Sequence, residues 1–534
     1  MLKHVLILIA FLLTGIGLFA QNSLIVWEST YGGTGNSDRC FSISNVSDGG
    51  NIMTGFHNST DGSVSNPRGG QDMWVVRTDL FGNIIWEKAL GGTSGEAGYR
   101  AIETMDGGFI AVGFSSWPNG DVTFNNGEID YWVVKLDQLG NIEWEKSYGG
   151  SEDDIAFDVI QLADSSYIIA GQSMSDDGMV SGHHGATNRI DIWIIRIDPT
   201  GNIIWENSYG GTENEAYTSA YFNTVMLDSH KDGTFAVGTT TYSNDGDVTV
   251  SGCGGKYWLV ELDTSGNILF EDTYGGCYPE LAHGMKATSD GGYIMNGGSR
   301  SNEEDVSGHH GSTNEFDAWV VKLDSLGNIQ WQNSLGSNGY EDGMGITEVN
   351  NGGYVGLARS FAAGGDCSGN YGNSDFWLFY LDPSGNLLWE DNFGGSGHEE
   401  PMDIVQALDG SLVVAGHTGS NDHDVSFLRA GFDWWAFKIH NVTEIQEHED
   451  LWLSANLYPN PAVDQIQLDI RLKKQEKLEL CCYDVLGKVM FKESLPKHRT
   501  IEKSLDLTTL RTGVYVLKII GQNNSTSKSF IKIN

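Results

Sequence analysis

One short pattern recurs seven times along the 534 residues of this chain, and it limits the fold more than any other feature. It starts at Tyr31-Gly32-Gly33, Leu90-Gly91-Gly92, Tyr148-Gly149-Gly150, Tyr209-Gly210-Gly211, Tyr274-Gly275-Gly276, Leu335-Gly336-Ser337 and Phe393-Gly394-Gly395. An interval of about 60 residues marks a series of supersecondary units, none of which can bury its apolar face alone.

Residues 150–210 show what one unit contains. Asp154 to Leu162 reads as a strand, with apolar residues around Ala156, Val159 and Leu162. The turn Asp164-Ser165-Ser166 is Asp106-Gly107-Gly108 and Asp290-Gly291-Gly292 in sister copies. Tyr167 to Gly171 is a second strand, followed by a long polar loop. Asp191 to Asp198 is the third strand, and Pro199-Thr200-Gly201-Asn202 turns the chain into the fourth, Ile203 to Tyr209. Four short antiparallel strands joined this way make one blade of a β-propeller.

The 16 tryptophans support that reading. Trp74, Trp132, Trp193, Trp258, Trp319, Trp377 and Trp434 or Trp435 fall on third strands. Trp27, Trp86, Trp144, Trp205, Trp331 and Trp389 fall on fourth strands, with Phe270 standing in once. Recurrence in every copy predicts a core between blades rather than a row of ligand contacts. The ends are out of phase in a useful way. Leu24 to Tyr31 is a fourth strand with no blade before it, and Asp433 to His440 is a third strand with none after it. Pairing them closes a ring of seven blades and removes its free edges.

Charge divides the chain. Residues 22–453 hold 17 Lys and Arg against 63 Asp and Glu (−46), whereas residues 454–534 hold 13 against 8 (+5). A body so acidic repels nucleic acid and anionic membranes and attracts cations. Lys3 and His4 followed by the apolar run Val5 to Phe19 read as a secretory leader cleaved after Ala20, leaving Gln21 first. No Cys follows that run, so no lipid anchor is expected there, and no later segment reads as transmembrane. Of six cysteines, Cys253 and Cys277 lie in one repeat and are either paired or two free thiols. Cys481 and Cys482 point to opposite faces of a strand, and Cys40 and Cys367 fit no metal spacing.

Gly149-Gly150-Ser151-Glu152-Asp153-Asp154-Ile155-Ala156 and Gly171-Gln172-Ser173 resemble the seven-bladed propeller repeat of bacterial secreted proteins. The likeness covers residues 22–442 and implies an all-β fold, not an activity. The last 80 residues share nothing with the repeats. Leu457-Tyr458-Pro459-Asn460-Pro461-Ala462, Tyr483-Asp484-Val485-Leu486-Gly487-Lys488-Val489, Thr512-Gly513-Val514-Tyr515-Val516-Leu517-Lys518-Ile519 and Ser527-Lys528-Ser529-Phe530-Ile531-Lys532-Ile533 suit a small β-sandwich. Together they resemble the C-terminal sorting domain of proteins exported by the type IX secretion system of Bacteroidetes. That resemblance implies passage through the periplasm, delivery across the outer membrane by the type IX machinery, and release or surface display. The expected layout is a leader (1–20), a propeller (22–442), a linker (443–453) and a sorting domain (454–534).

The sequence contains no Gly-x-Ser-x-Gly elbow, Walker loop or dinucleotide fingerprint. His398-Glu399 lacks the second histidine of a zinc-protease helix. Two patterns bear on ligands. An acid follows the second residue of each Gly-Gly or Gly-Ser pair by four positions: Glu96, Asp154, Glu215, Glu280, Glu341 and Glu399, with Asp38 in the first copy. These acids could ring an axial channel and hold calcium through hard oxygens. Equally, each could accept hydrogen bonds from its own turn. The long loops between second and third strands are acidic too, as at Asp245 and Asp247, and share a face with those acids. Val180-Ser181-Gly182-His183-His184-Gly185 and Val306-Ser307-Gly308-His309-His310-Gly311 are near twins, from repeat duplication or for metal binding. Trp117, before Pro118, is the one tryptophan in such a loop, either packed or an exposed contact. These features suggest a binding, adhesion or scaffold module for a glycan or a surface protein. A carbohydrate-active enzyme with its site on the loop face is the alternative, and two carboxylates converging in one pocket would mark it.

Overall fold

A computed structural model describes residues 24–35, 37–186, 188–216, 224–230, 233–249, 252–440, 452–458, 462–484, 489–520 and 525–532. The leader, its cleavage point, Pro459-Asn460-Pro461 and Val485-Leu486-Gly487-Lys488 lie outside the described residues, as does the linker up to residue 451. The chain divides into two compact units, one of Met1–Asp409 and Val413–Ile439, the other of His440–Asn534 with Gly410–Leu412. No helix among the described residues is long and apolar enough to cross a membrane.

The first unit consists of seven four-stranded antiparallel sheets. We number them blades 1 to 7, spanning residues 39–90, 96–148, 154–209, 225–274, 280–335, 341–393 and, for blade 7, 399–439 with the first strand of the chain. Blade 3 runs Asp154–Gln161, Tyr167–Ser173, Asp191–Ile197 and Ile203–Tyr209, within a residue or two of the sequence reading. Blade 7 closes as expected. Ile25–Tyr31 pairs antiparallel with Asp433–Ile439, with Glu28 opposite Phe437.

Trp74, Trp132, Trp193, Trp258, Trp319, Trp377 and Trp435 are fully buried. Each donates its indole N–H to the fourth strand of its own sheet: Trp193 to Glu206 at 2.9 Å, Trp132 to Glu145 at 2.8 Å, Trp319 to Gln332 at 2.8 Å. A buried indole needs that partner. The fourth-strand tryptophans reach onward instead. Trp144 donates to Pro199 O, and Trp205 to Thr264 O, on the hairpin of the next blade. One set stitches each sheet and the other stitches neighbours.

The axis is filled. The innermost pairing shifts register between Cys40 and Ser42, Gly98 and Arg100, Ala156 and Asp158, and Ala282 and Gly284. The residues at these bulges are Phe41, Tyr99, Phe157 and His283. Phe41 stacks on Tyr99 at 4.9 Å, and Phe157 meets Tyr99 edge-on at 4.6 Å. Arg100 pairs with Asp158 at 3.3 Å and with Asp403 of blade 7 at 2.6 Å.

The second unit is one five-stranded antiparallel sheet. Its first strand, Trp452–Tyr458, begins inside the segment read as linker. Where the sequence suggested a sandwich of separate strands, two long strands, Gln465–Asp484 and Val489–Asp506, run through both halves. Gln465–Asp484 pairs with Trp452–Tyr458 at its start and with Gly513–Ile520 at its end. Register shifts between Arg471 and Leu478 bend the sheet. The curl closes over one core in which Leu468, Ile470, Leu480, Cys482, Leu517 and Ile519 are buried. Cys481 and Cys482 are both free thiols.

Candidate functional site

The recurrent acids lie at the junctions between blades, and all seven are fully buried. Each accepts a backbone N–H from the second residue of its own turn: Asp38 from Gly33, Glu96 from Gly92, Asp154 from Gly150, Glu215 from Gly211, Glu280 from Gly276, Glu341 from Ser337 and Glu399 from Gly395, at 2.7–3.2 Å. Opposite each acid stands the residue opening the third strand of the preceding blade. It is Asp433, Asp72, Asp130, Asp191, Asp317 or Asp375 at six junctions, and Lys256 at the seventh. A methyl group on Gly149 would lie 2.3 Å from Asp130 Oδ1 and 2.6 Å from Asp154 Oδ2, so the two oxygens face one point. Only glycine leaves room there. Gly32, Gly91, Gly210, Gly336 and Gly394 repeat that geometry.

In each of the six aspartates Oδ2 accepts a backbone N–H from the loop before it, from Arg68, Asn126, His184, His310, Tyr371 or Arg429. Oδ1 is buried in all six and accepts no hydrogen bond from a donor among the described residues, the Asp375 carboxyl lying instead against that of Glu399. Burial pushes these groups up, Asp72 and Asp130 to about 6; at Glu96 and Asp154, both about 7, and at Asp375, about 8, the facing Asp72, Asp130 and Glu399 add to it.

The other residues singled out by sequence do local work. Asp245 accepts from Thr212 N at 2.8 Å, and Asp247 from Gly210 N at 3.1 Å, tying the long loop to the next turn. His184 Nδ1 lies 2.8 Å from Asp191, and His310 Nδ1 lies 2.9 Å from Asp317. His183 and His309 turn to the carbonyls of Ala186 and Ser312. Trp117 is 62% exposed. Among the described residues, the one place where three ligand atoms of His, Cys, Asp or Glu come within 4.8 Å is Cys253, Cys277 and Glu304. The two sulfurs there are joined as a disulfide.

A cavity of about 330 Å³ opens where blades 4, 5 and 6 meet on the face of the long loops. It is lined by Tyr242, Leu281, His283, Arg300, Phe316, Tyr340, Asp342 and Arg359, with Pro279 at its edge. The Arg300 guanidinium lies over the Phe316 ring at 4.2 Å. Asp342 is shared: His283 Nε2 is 3.8 Å away, Arg359 3.8 Å, and Tyr340 donates to it at 3.3 Å. Arg300 forms no ion pair among the described residues, although the surrounding body is strongly acidic. Sequence reasoning passed over this pocket because it looked for what every copy shares. The pocket is built from what one copy changes. At the bulge Phe41, Tyr99 and Phe157 give way to His283, and Arg300 stands where other blades have Ser116, Met174 or Tyr242.

Residues 456–534 match the secretion system C-terminal sorting domain. The chain is therefore a β-propeller repeat protein with a C-terminal type IX sorting domain. That domain marks it for handling by the type IX machinery and for secretion or attachment at the cell surface. No curated protein matches the chain. Among solved structures, it is similar to a puromycin hydrolase, with 11% identity over 84% of this chain and 62% of that one, at a TM-score of 0.42. It is also similar to a variant of the Synechocystis apocarotenoid oxygenase, with 11% identity over 67% of this chain and 72% of that one, at a TM-score of 0.36. Neither likeness bears on activity.

Proposed function

We propose that this exported propeller is a binding module whose loop-face pocket takes an anionic, ring-shaped ligand, an acidic sugar of a surface or extracellular glycan. The observation that carries the reading is Arg300. It is a half-buried cation without an ion-pair partner among the described residues, at the mouth of a cavity with aromatic walls. Tyr242 and Tyr340 supply flat faces for a sugar ring, and Arg300, resting over the Phe316 ring, supplies a bidentate donor for its carboxylate. Asp342 already serves His283 and Arg359, and it is the only carboxylate of the lining among the described residues. That favours binding over a two-carboxylate glycosidase mechanism.

Titration of the full chain with glucuronate-containing oligosaccharides and with neutral glucose oligosaccharides tests this. Calorimetry is expected to show binding of the acidic series only, weakening as salt rises. Arg300→Ala is expected to weaken it about 10- to 100-fold, the loss of the charge-assisted bidentate pair. Equal affinity for neutral and acidic sugars, or an unchanged Arg300→Ala, would remove the basis of the proposal.

A further inference from the structure

Most junctions between blades have a basic group beside their carboxylates. His57 Nε2 lies 3.6 Å from Asp72, Arg429 lies 3.8 Å from Asp433, and Lys256 takes the aspartate's place in blade 4. At two junctions an imidazole stands between the aspartate and an acid of the long loop. His184 is 2.8 Å from Asp191 and 3.8 Å from Asp247; His310 is 2.9 Å from Asp317 and 3.5 Å from Asp366. At the pair Asp130 and Asp154, which has no cation, three donors surround Asp154: Gly150 N, Ser173 Oγ and Ser175 Oγ.

The junction of blades 6 and 7 gathers the same three acids, Asp375, Glu399 and the loop acid Asp424, all buried. The backbone N–H that meets Asp375 here belongs to Tyr371, where His184 and His310 serve elsewhere, so a phenol replaces the imidazole. Glu399 accepts from Gly395 N and Thr418 Oγ1, and Asp424 from Gly394 N. The other charged groups nearby are acids, Asp424 and, across Tyr371, Asp391. His398 Nδ1 lies against Ser374 Oγ at 3.2 Å, and His423 stacks on the Tyr371 ring at 5.0 Å; neither pairs with Asp375 or Glu399 among the described residues. The Asp375 carboxyl lies within hydrogen-bonding reach of the Glu399 carboxyl. Two ionised carboxylates cannot make that contact, because neither has a hydrogen to donate and their charges repel. A hard cation needs several more oxygens than the two that meet here, beside a glycine that nothing larger can replace.

We propose that Asp375 and Glu399 share one proton at neutral pH, which latches blade 7 to blade 6, and that alkali removes it and sets two anions against each other across the junction. Blade 7 is the blade completed by the first strand of the chain, so the latch sits beside the ring closure. Burial, with Glu399 beside it, holds the Asp375 carboxyl up at about 8, well above a carboxyl in the unfolded chain. The folded chain therefore keeps a proton that the unfolded chain gives up. The latch is at full strength in acid, weakens as pH rises from the ordinary carboxylate range to about 8, and is gone above it.

Asp375→Asn tests this, since its amide gives Glu399 a permanent donor of the same shape. Guanidinium unfolding of the full chain, followed by tryptophan fluorescence across the pH range, compares the two proteins. The unfolding constant of the native chain is expected to rise relative to that of the variant by about tenfold per pH unit, levelling off above about 8. The other buried acids titrate in both chains and cancel. The infrared difference between the two proteins at neutral pH is expected to contain the carbonyl band of one protonated carboxyl, and to lose it well above pH 8. Parallel pH profiles, or no such band, would overturn the proposal, because the pair would then be two anions held by fixed donors alone. If Asp375→Asn does not fold, Glu399→Gln offers the same neutral partner from blade 7, and infrared titration of the native chain still decides.

Discussion

A chain lacking residues 454–534 is expected to stay in the periplasm, with none at the cell surface or in the medium. The effect should be all or none, because the lost segment holds the sorting domain matched at residues 456–534. The propeller should still fold. The two units have separate cores, opposite charge balance and no shared sheet. Cell fractionation with an antibody to the propeller reads location, and limited proteolysis of the periplasmic fraction reads folding. Surface delivery of the truncated chain at the normal level would refute the sorting role. A propeller degraded without its tail would refute the independence of the two units.

The largest effect of a single substitution on stability is expected at the third-strand tryptophans. Trp193→Ala should cost about 3–5 kcal/mol, from lost burial and from the cavity left between blades. The side chain is fully buried and lies 4.7 Å from the Tyr131 ring of blade 2. Its removal also takes the indole N–H from Glu206, which keeps its bonds from Ser181 N and Oγ. Trp144→Ala should cost clearly less, because that ring is only half-buried and its partner is a hairpin carbonyl near solvent. Guanidinium unfolding of both variants checks the order. Equal losses, or an unmoved midpoint in Trp193→Ala, would show that the core between blades is not where stability resides.

Most of the fold was legible because the repeat states each rule many times. A tryptophan at one position could mean a ligand contact; the same position filled in every blade, with an acid or amide such as Glu145, Glu206 or Gln332 thirteen residues later, means a sheet core. The out-of-phase ends gave the closure for the same reason. The tail was less legible. Strand signals at Tyr483 and Val489 were correct, but nothing in Gln465 to Asp484 announces that one strand will bend and serve two halves of a sheet. The junction acids were found by repetition, yet their companions, Asp72 and its equivalents, were read only as strand openings. Pairing them needs the fold, since blade 3 supplies Asp154 and blade 2 supplies Asp130. The pocket was illegible for the opposite reason. His283 reaches it through a bulge, and a bulge leaves no periodic trace in sequence.

Closure of blade 7 also sets an order of events. The strand Ile25–Tyr31 is made first and has no sheet to join until Asp433–Ile439 exists; Glu28 and Trp435, which bond across that seam, are 407 positions apart. Blades 1 to 6 can form from contacts within about 60 residues, whereas the last seam joins the most distant partners and must form late. The sorting domain is encoded after the closing strand. Any chain long enough to display that signal already contains every strand needed to seal the ring. A chain that terminates before Asp433–Ile439 keeps raw sheet edges and lacks the signal. Synthesis order alone thus couples completeness of the propeller to permission to leave, with no separate inspection step.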